Sequence, residues 1–149
     1  PETVQFSEQR HRTHTLESCR AYLESFKDSP HRFVALVRKE DDLHIGNINA
    51  YISEENQTAD VGILVGERSV WGQGFGLEAW SAMCDDLLNS GIRKVTAGTM
   101  ACNLGMIRIF EKYGMQIEGR REKQFILDGQ EIDMVMAATF KCGERIDDN

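Results

Sequence analysis

Apolar positions along this chain change their spacing at a few clear places, and each change marks an element. From Thr15 to Lys27, the positions Leu16, Cys19, Tyr22, Leu23 and Phe26 recur at steps of three and four. That spacing predicts one apolar helical face with Thr15 as its N-cap. Asp28-Ser29-Pro30 ends it. Phe33 to Val37 is a short apolar strand, and polar Lys39 to Asp42 a turn. His44 to Ser53 is a second strand, Glu54 to Thr58 a second turn, and Ala59 to Val65 a third strand. Three strands joined this way predict an antiparallel meander. Leu77, Trp80, Met83, Cys84, Leu87 and Leu88 then return to helical spacing and end near Gly91. Lys94 to Met100 reads as strand, and Met106 to Tyr113 as a shorter helix closed by Gly114 as a left-handed C-cap. Met115 to Leu127 and Glu131 to Phe140 follow as strands, with Asp128-Gly129 between them a hairpin signal.

The order α-β-β-β-α-β-α-β-β places the chain in the α/β (α+β) class. The expected architecture is a mixed, largely antiparallel central sheet with helices on both faces. A length of 149 residues suits one domain, residues 1–149, with a single core. No repeat or linker interrupts it. The chain opens on Pro1-Glu2-Thr3-Val4 without an initiator Met, and its first helix needs a preceding element to pack on. The expectation is that a strand and a helix come before it.

Composition narrows the function classes. Apolar residues make up 41% and charged residues 28%, as in an ordinary globule. No apolar run approaches the roughly 20 residues of a membrane span, and the start lacks a basic-then-apolar signal, so the expected address is cytoplasmic. Net charge is −7, which argues against a nucleic-acid partner. An acidic field favours cationic substrates such as amines, but acidity for solubility alone is the preferred reading. Cys19, Cys84, Cys102 and Cys142 form no C-x-x-C pair, so neither zinc nor a disulfide framework is expected, and Cys84 falls on the apolar side of a helix.

The candidate chemistry centres on "SVWGQGFGLEAW", residues 69–80. Gly72, Gly74 and Gly76 separate an apolar strand from a helix. The dinucleotide fingerprint fails because Leu77 stands where its third glycine belongs, and the triphosphate loop fails for want of Gly-Lys-Ser/Thr. Two readings survive: a tight turn with close helix packing, or a loop whose N–H groups face a pyrophosphate at a helix N-terminus.

Trp71-Gly-Gln-Gly-Phe-Gly76 with Glu78-Ala79 resembles the acyl-CoA pyrophosphate loop of the GNAT superfamily of N-acetyltransferases. Asn103-Leu-Gly-Met-Ile-Arg-Ile-Phe-Glu-Lys-Tyr-Gly-Met115 is similar to that superfamily's "N…A…Y-E-K-x-G-F" helix. Glu118-Gly119-Arg120, Asp128-Gly129 and Asp133 resemble the branch of ribosomal-protein N-terminal and amino-sugar N-acetyltransferases. The likeness runs from about Phe33 to Phe140. It implies acetyl-CoA as cofactor and a small-molecule or peptide amine as substrate. Ile63, Leu64 and Val65 would pair with the pantetheine arm. The backbone of Trp71, Gly72, Gln73, Gly74, Phe75 and Gly76 would hold the pyrophosphate, and Asn103 would bond the cofactor from across the sheet.

Two positions depart from the family pattern. Trp71 replaces a common Arg or Gln, which leaves the backbone donors in place. Phe110 stands on the cofactor side where many members carry a Tyr that protonates the departing thiolate; Tyr113 is three residues on. Direct attack by a neutral amine needs a base, for which Asp60 is the leading candidate against a plain solvated carboxylate. Glu78 suits the helix dipole, His11 and His14 are polar-loop histidines, and Cys102 has no activating base beside it. An amino sugar, free or nucleotide-linked, is favoured over a protein N-terminus because "RKVTAGTMACN" resembles the sugar-modifying members of that branch. The other class open is a degenerate acyl-CoA-binding or regulatory module. A homodimer is compatible with the sequence, which does not fix oligomeric state.

Overall fold

The structure is a computed structural model and describes residues 2–142; Pro1 lies outside the described residues. After two short 3-10 turns, the elements are α1 (Leu16–Glu24), β1 (Arg32–Arg38), β2 (Leu43–Ser53) and β3 (Thr58–Val65). Then come α2 (Phe75–Asn89), β4 (Lys94–Met100), α3 (Leu104–Tyr113), β5 (Gln116–Leu127) and β6 (Gln130–Phe140). The sheet has six strands in the order β1-β2-β3-β4-β6-β5. Every neighbouring pair is antiparallel except β3 with β4. The class and architecture expected from the sequence are those observed.

Alternation along the strands divides the sheet into two faces. Ile48 and Ala50 of β2, Val61 of β3, Val95 and Ala97 of β4 and Ala137 of β6 turn inward against Trp80, Met83 and Leu87 of α2 and Phe110 of α3. Trp80 and Phe110 are the bulkiest fully buried side chains, with ring centroids 5.8 Å apart. Cys84 is buried among them; burial, with Asp85 adding to it, pushes its thiol up to about 12.

α1 serves the other face. Thr15 caps it, as the sequence predicts, and the structure adds a reciprocal box with Ser18. It ends at Glu24 rather than Lys27, because the Ser25 hydroxyl folds back on the Tyr22 carbonyl at 2.6 Å and Asp28 turns to φ +55°. Its apolar stripe is only half used. Tyr22 packs edge-on with Phe26 and Phe33, Phe26 lies tilted against Tyr51, and Leu16 and Leu23 stay exposed.

Two local devices fix the rest. Asp128 and Gly129 both take positive φ, 50° and 78°, as a two-residue hairpin requires. α3 begins at Leu104, two residues before the periodicity suggests, because the Asn103 side chain accepts from the Met106 N–H and caps it.

Candidate active site

β3 and β4 pair over three residues only: Thr58, Ala59 and Asp60 with Lys94, Val95 and Thr96. Beyond Asp60 the two strands part. Val61–Val65 on one side and Ala97–Thr99 on the other line a cleft of about 710 Å³ that continues between α2 and α3. The fork leaves alternate backbone N–H and C=O groups on both inner edges without a strand partner, a ready template for an extended ligand. Ile63, Leu64 and Val65 lie along one edge.

At the outer end of the fork is the glycine turn. Gly72 and Gly74 take φ +75° and +89°, a conformation that costs an L side chain about 1–2 kcal/mol, and the space where a Cβ would stand is open. Gly74 is the N-cap of α2 and brings no side-chain cap. Trp71 and Gln73 N–H groups are taken up by the Arg68 and Val70 carbonyls at 3.1 and 3.4 Å. Those of Phe75, Gly76 and Leu77 have no acceptor among the described residues, so the helix start faces the cleft with bare donors. Gly76 does something else. A Cβ there would stand 3.2 Å from Ile109 Cδ1, so it lets α3 close on α2. The turn thus combines both readings left open by the sequence: open backbone at 72 and 74, close packing at 76.

Two side chains of the turn are tied to nearby backbone. The Trp71 indole N–H donates to the Val65 carbonyl at 2.8 Å, and Arg68 stacks on its ring while pairing with Glu2. The Gln73 amide donates to the Ser69 carbonyl at 2.8 Å and does not line the cleft. Asn103 lines it, with one amide hydrogen committed to Thr99 Oγ1 at 3.1 Å. One buried donor is unspent: the Trp80 indole N–H, at the cleft wall, has no partner among the described residues.

Asp60 is the last paired residue before the fork opens, on the sheet face away from α2. Partial withdrawal from water raises its pKa above the ordinary aspartate value, against the lowering effect of the Thr96 hydroxyl that donates to it at 2.8 Å. Its cross-strand neighbour is Tyr51, whose hydroxyl lies 2.8 Å from that of Tyr22. Asn49 covers Gly62 on the same face. This is a polar patch beside the crotch of the fork, and Asp60 itself does not line the cleft.

The other sequence candidates separate. Phe110 lies at the cleft base, wholly buried. Tyr113 is turned away, its hydroxyl donating to Asp85 of α2 at 2.7 Å. His11, His14, Glu78 and Cys102 are all exposed, and none lines the cleft. Sequence reasoning missed Arg108 and Lys112, two cations on α3 that line it; their i, i+4 spacing inside the quoted helix was the available signal.

A family model described as the acetyltransferase (GNAT) domain matches residues 1–116. The chain belongs to the GNAT acetyltransferases. Solved GNAT N-acetyltransferases share the fold. The spermidine N-acetyltransferase of Vibrio cholerae, in complex with CoA and spermine, superposes at a TM-score of 0.82 and 14% identity, over 94% of this chain and 83% of that one. A ribosomal-protein-alanine N-acetyltransferase of Brucella melitensis gives 0.77 at 15% identity, over 87% and 81%. An uncharacterized protein of Methanocaldococcus jannaschii is 28% identical over 99 residues, 64% of this chain and 20% of its own length. The GNAT chain described here therefore spans about a fifth of that curated relative.

Proposed function

We propose that this chain is an acetyl-CoA-dependent N-acetyltransferase acting on a primary amine. The observation that carries the reading is the continuity of an unpaired strand fork with an open glycine turn and an uncapped helix start. A pantetheine arm has the alternating amide groups to complete the fork as an added strand along Ile63–Val65. A pyrophosphate has the charge that the bare donors at Gly72 and Gly74–Leu77 and the positive end of α2 favour. The unspent Trp80 indole N–H supplies one further donor to a polar group in the cleft.

When bound, acetyl-CoA supplies an acetyl group as a thioester open to attack by a neutral amine. Asp60, at the closed end of the fork, takes the amine proton directly or through water, and its raised pKa suits that task. The thioester would give its acetyl carbon to the amine nitrogen and part from it as a thiolate that keeps the bonding pair. Phe110 cannot protonate that thiolate and Tyr113 is committed to Asp85, which leaves water as the proton source. The same two facts favour the second reading, a cofactor-binding module without turnover.

The acceptor we favour is an amino sugar, free or nucleotide-linked, with a protein N-terminal amine and a polyamine as the competing acceptors. A thermal-shift titration with acetyl-CoA, NAD and ATP tests the cofactor: a shift with acetyl-CoA alone is expected, and none refutes the reading. Thiol release over a panel of amino sugars, peptides and spermine then divides enzyme from binder. Absence of release with every acceptor in the panel favours the binding module.

A further inference from the structure

The cleft carries two positive side chains that the fork and the glycine turn do not use. Arg108 and Lys112 sit one helical turn apart on α3, both exposed and both lining the cleft. Among the described residues neither forms an ion pair with a carboxylate. Arg68, the nearby cation of the turn, is by contrast held by Glu2 and Trp71. In a chain of net charge −7, two unneutralised cations on one cleft wall call for an anion.

We propose that Arg108 and Lys112 bind the 3′-phosphate of the CoA adenosine and make the chain select CoA over its 3′-dephospho form. This rests on the cofactor reading above. The backbone donors of the turn and of the α2 start account for the pyrophosphate, which leaves the 3′-phosphate as the one charged group without a partner. The contact of Gly76 with Ile109 docks α3 against the first turn of α2. That places Arg108 and Lys112, on either side of Ile109 in sequence, beside the phosphate loop rather than at the crotch, where the thioester belongs. Side chains at i and i+4 start about 5–6 Å apart, which suits two cations bracketing one dianion. Arg offers a fork of donors and Lys a point charge, both common phosphate ligands. Screening over about 8 Å at physiological salt makes this local pair, not the chain's overall charge, what the phosphate feels.

Isothermal titration of CoA and 3′-dephospho-CoA into the wild-type chain and into Arg108→Gln/Lys112→Gln tests the assignment. Wild type should prefer CoA by about tenfold or more, as charge-assisted hydrogen bonds to one phosphate allow. The double variant should lose that preference by weakening CoA while leaving dephospho-CoA nearly unchanged. Lys39→Gln/Lys141→Gln removes the same charge outside the cleft and should keep the preference. Equal loss for both ligands in the Arg108/Lys112 variant, or an unchanged ratio, overturns the assignment while leaving the cofactor reading intact. Failure of wild type to bind either ligand overturns both. Circular dichroism melts of the variants, altered only at exposed positions, check that folding is kept.

Discussion

Asp60 is where a single side chain carries the most consequence. Its pKa is raised because the fold partly removes its carboxylate from water, so ionisation is disfavoured in the folded state relative to the unfolded one. At pH above the ordinary aspartate value the charge opposes folding. Below that value both states are protonated and the opposition vanishes. Asp60→Asn should therefore melt no lower than wild type at pH 7, and any gain should shrink as the pH falls toward the ordinary aspartate range. The same change should lower kcat by about a hundredfold or more with CoA affinity unchanged, and remove the acidic limb of the rate profile. A variant that keeps its rate removes Asp60 from the chemistry. Gly74→Val is the partner test. The space is open, so the cost is backbone strain of about 1–2 kcal/mol, and the chain should still fold. Its side chain would take up open space that an approaching pyrophosphate needs, and acetyl-CoA should cease to shift the melt. At this scale the sequence was partly legible. Glycine spacing exposed the turn because only glycine takes those φ values cheaply. The engagement of Tyr113 with Asp85 was hidden, because its partner is brought in by packing; the Asn103 cap is local, on the Met106 N–H three residues on, and the apolar spacing alone passed over it.

Elements were legible to within a residue or two where periodicity was strong, as in α2 and in β4, whose limits match the sequence reading. α1 was harder. Its stripe of Leu16, Cys19, Tyr22, Leu23 and Phe26 predicts a buried face, yet the helix has no buried residue and is held through Tyr22 and through Phe26 just past its end. Its amides should accordingly exchange with solvent well before those of α2, whose Trp80, Met83, Cys84 and Leu87 are buried; comparable protection in both contradicts this packing. The outer end of the β2–β3 pair depends on one small residue. A Cβ at Gly46 would collide with the Leu64 carbonyl oxygen and stand 2.9 Å from the Val65 Cα, and neither can move without displacing β3. Gly46→Ala should cost about 3 kcal/mol, seen as a lower denaturant midpoint. Because Val65 borders the cleft, the same change should weaken acetyl-CoA binding from a distance.

Across the whole molecule, the alternation of strands and helices identified the class, but not that one strand pair would stop after three residues. Nothing in Val61–Val65 or Ala97–Met100 marks them as unpaired, since both have the composition of ordinary central strands. α2 packs against both strands where they part. If the cofactor reading holds, acetyl-CoA at about 100 times its dissociation constant should add roughly 2.7 kcal/mol, a rise of about 5–10 °C in Tm.

That short parallel ladder also makes the sheet two half-sheets, β1-β2-β3 and β4-β6-β5, each ending on a raw edge in the middle of the molecule. Natural β proteins protect such edges because another chain's strand can add to them. Here the protection would be lent by a metabolite. Without it, the interior seam is a place for self-association on heating, and the supply of that metabolite would govern colloidal shelf life as well as turnover.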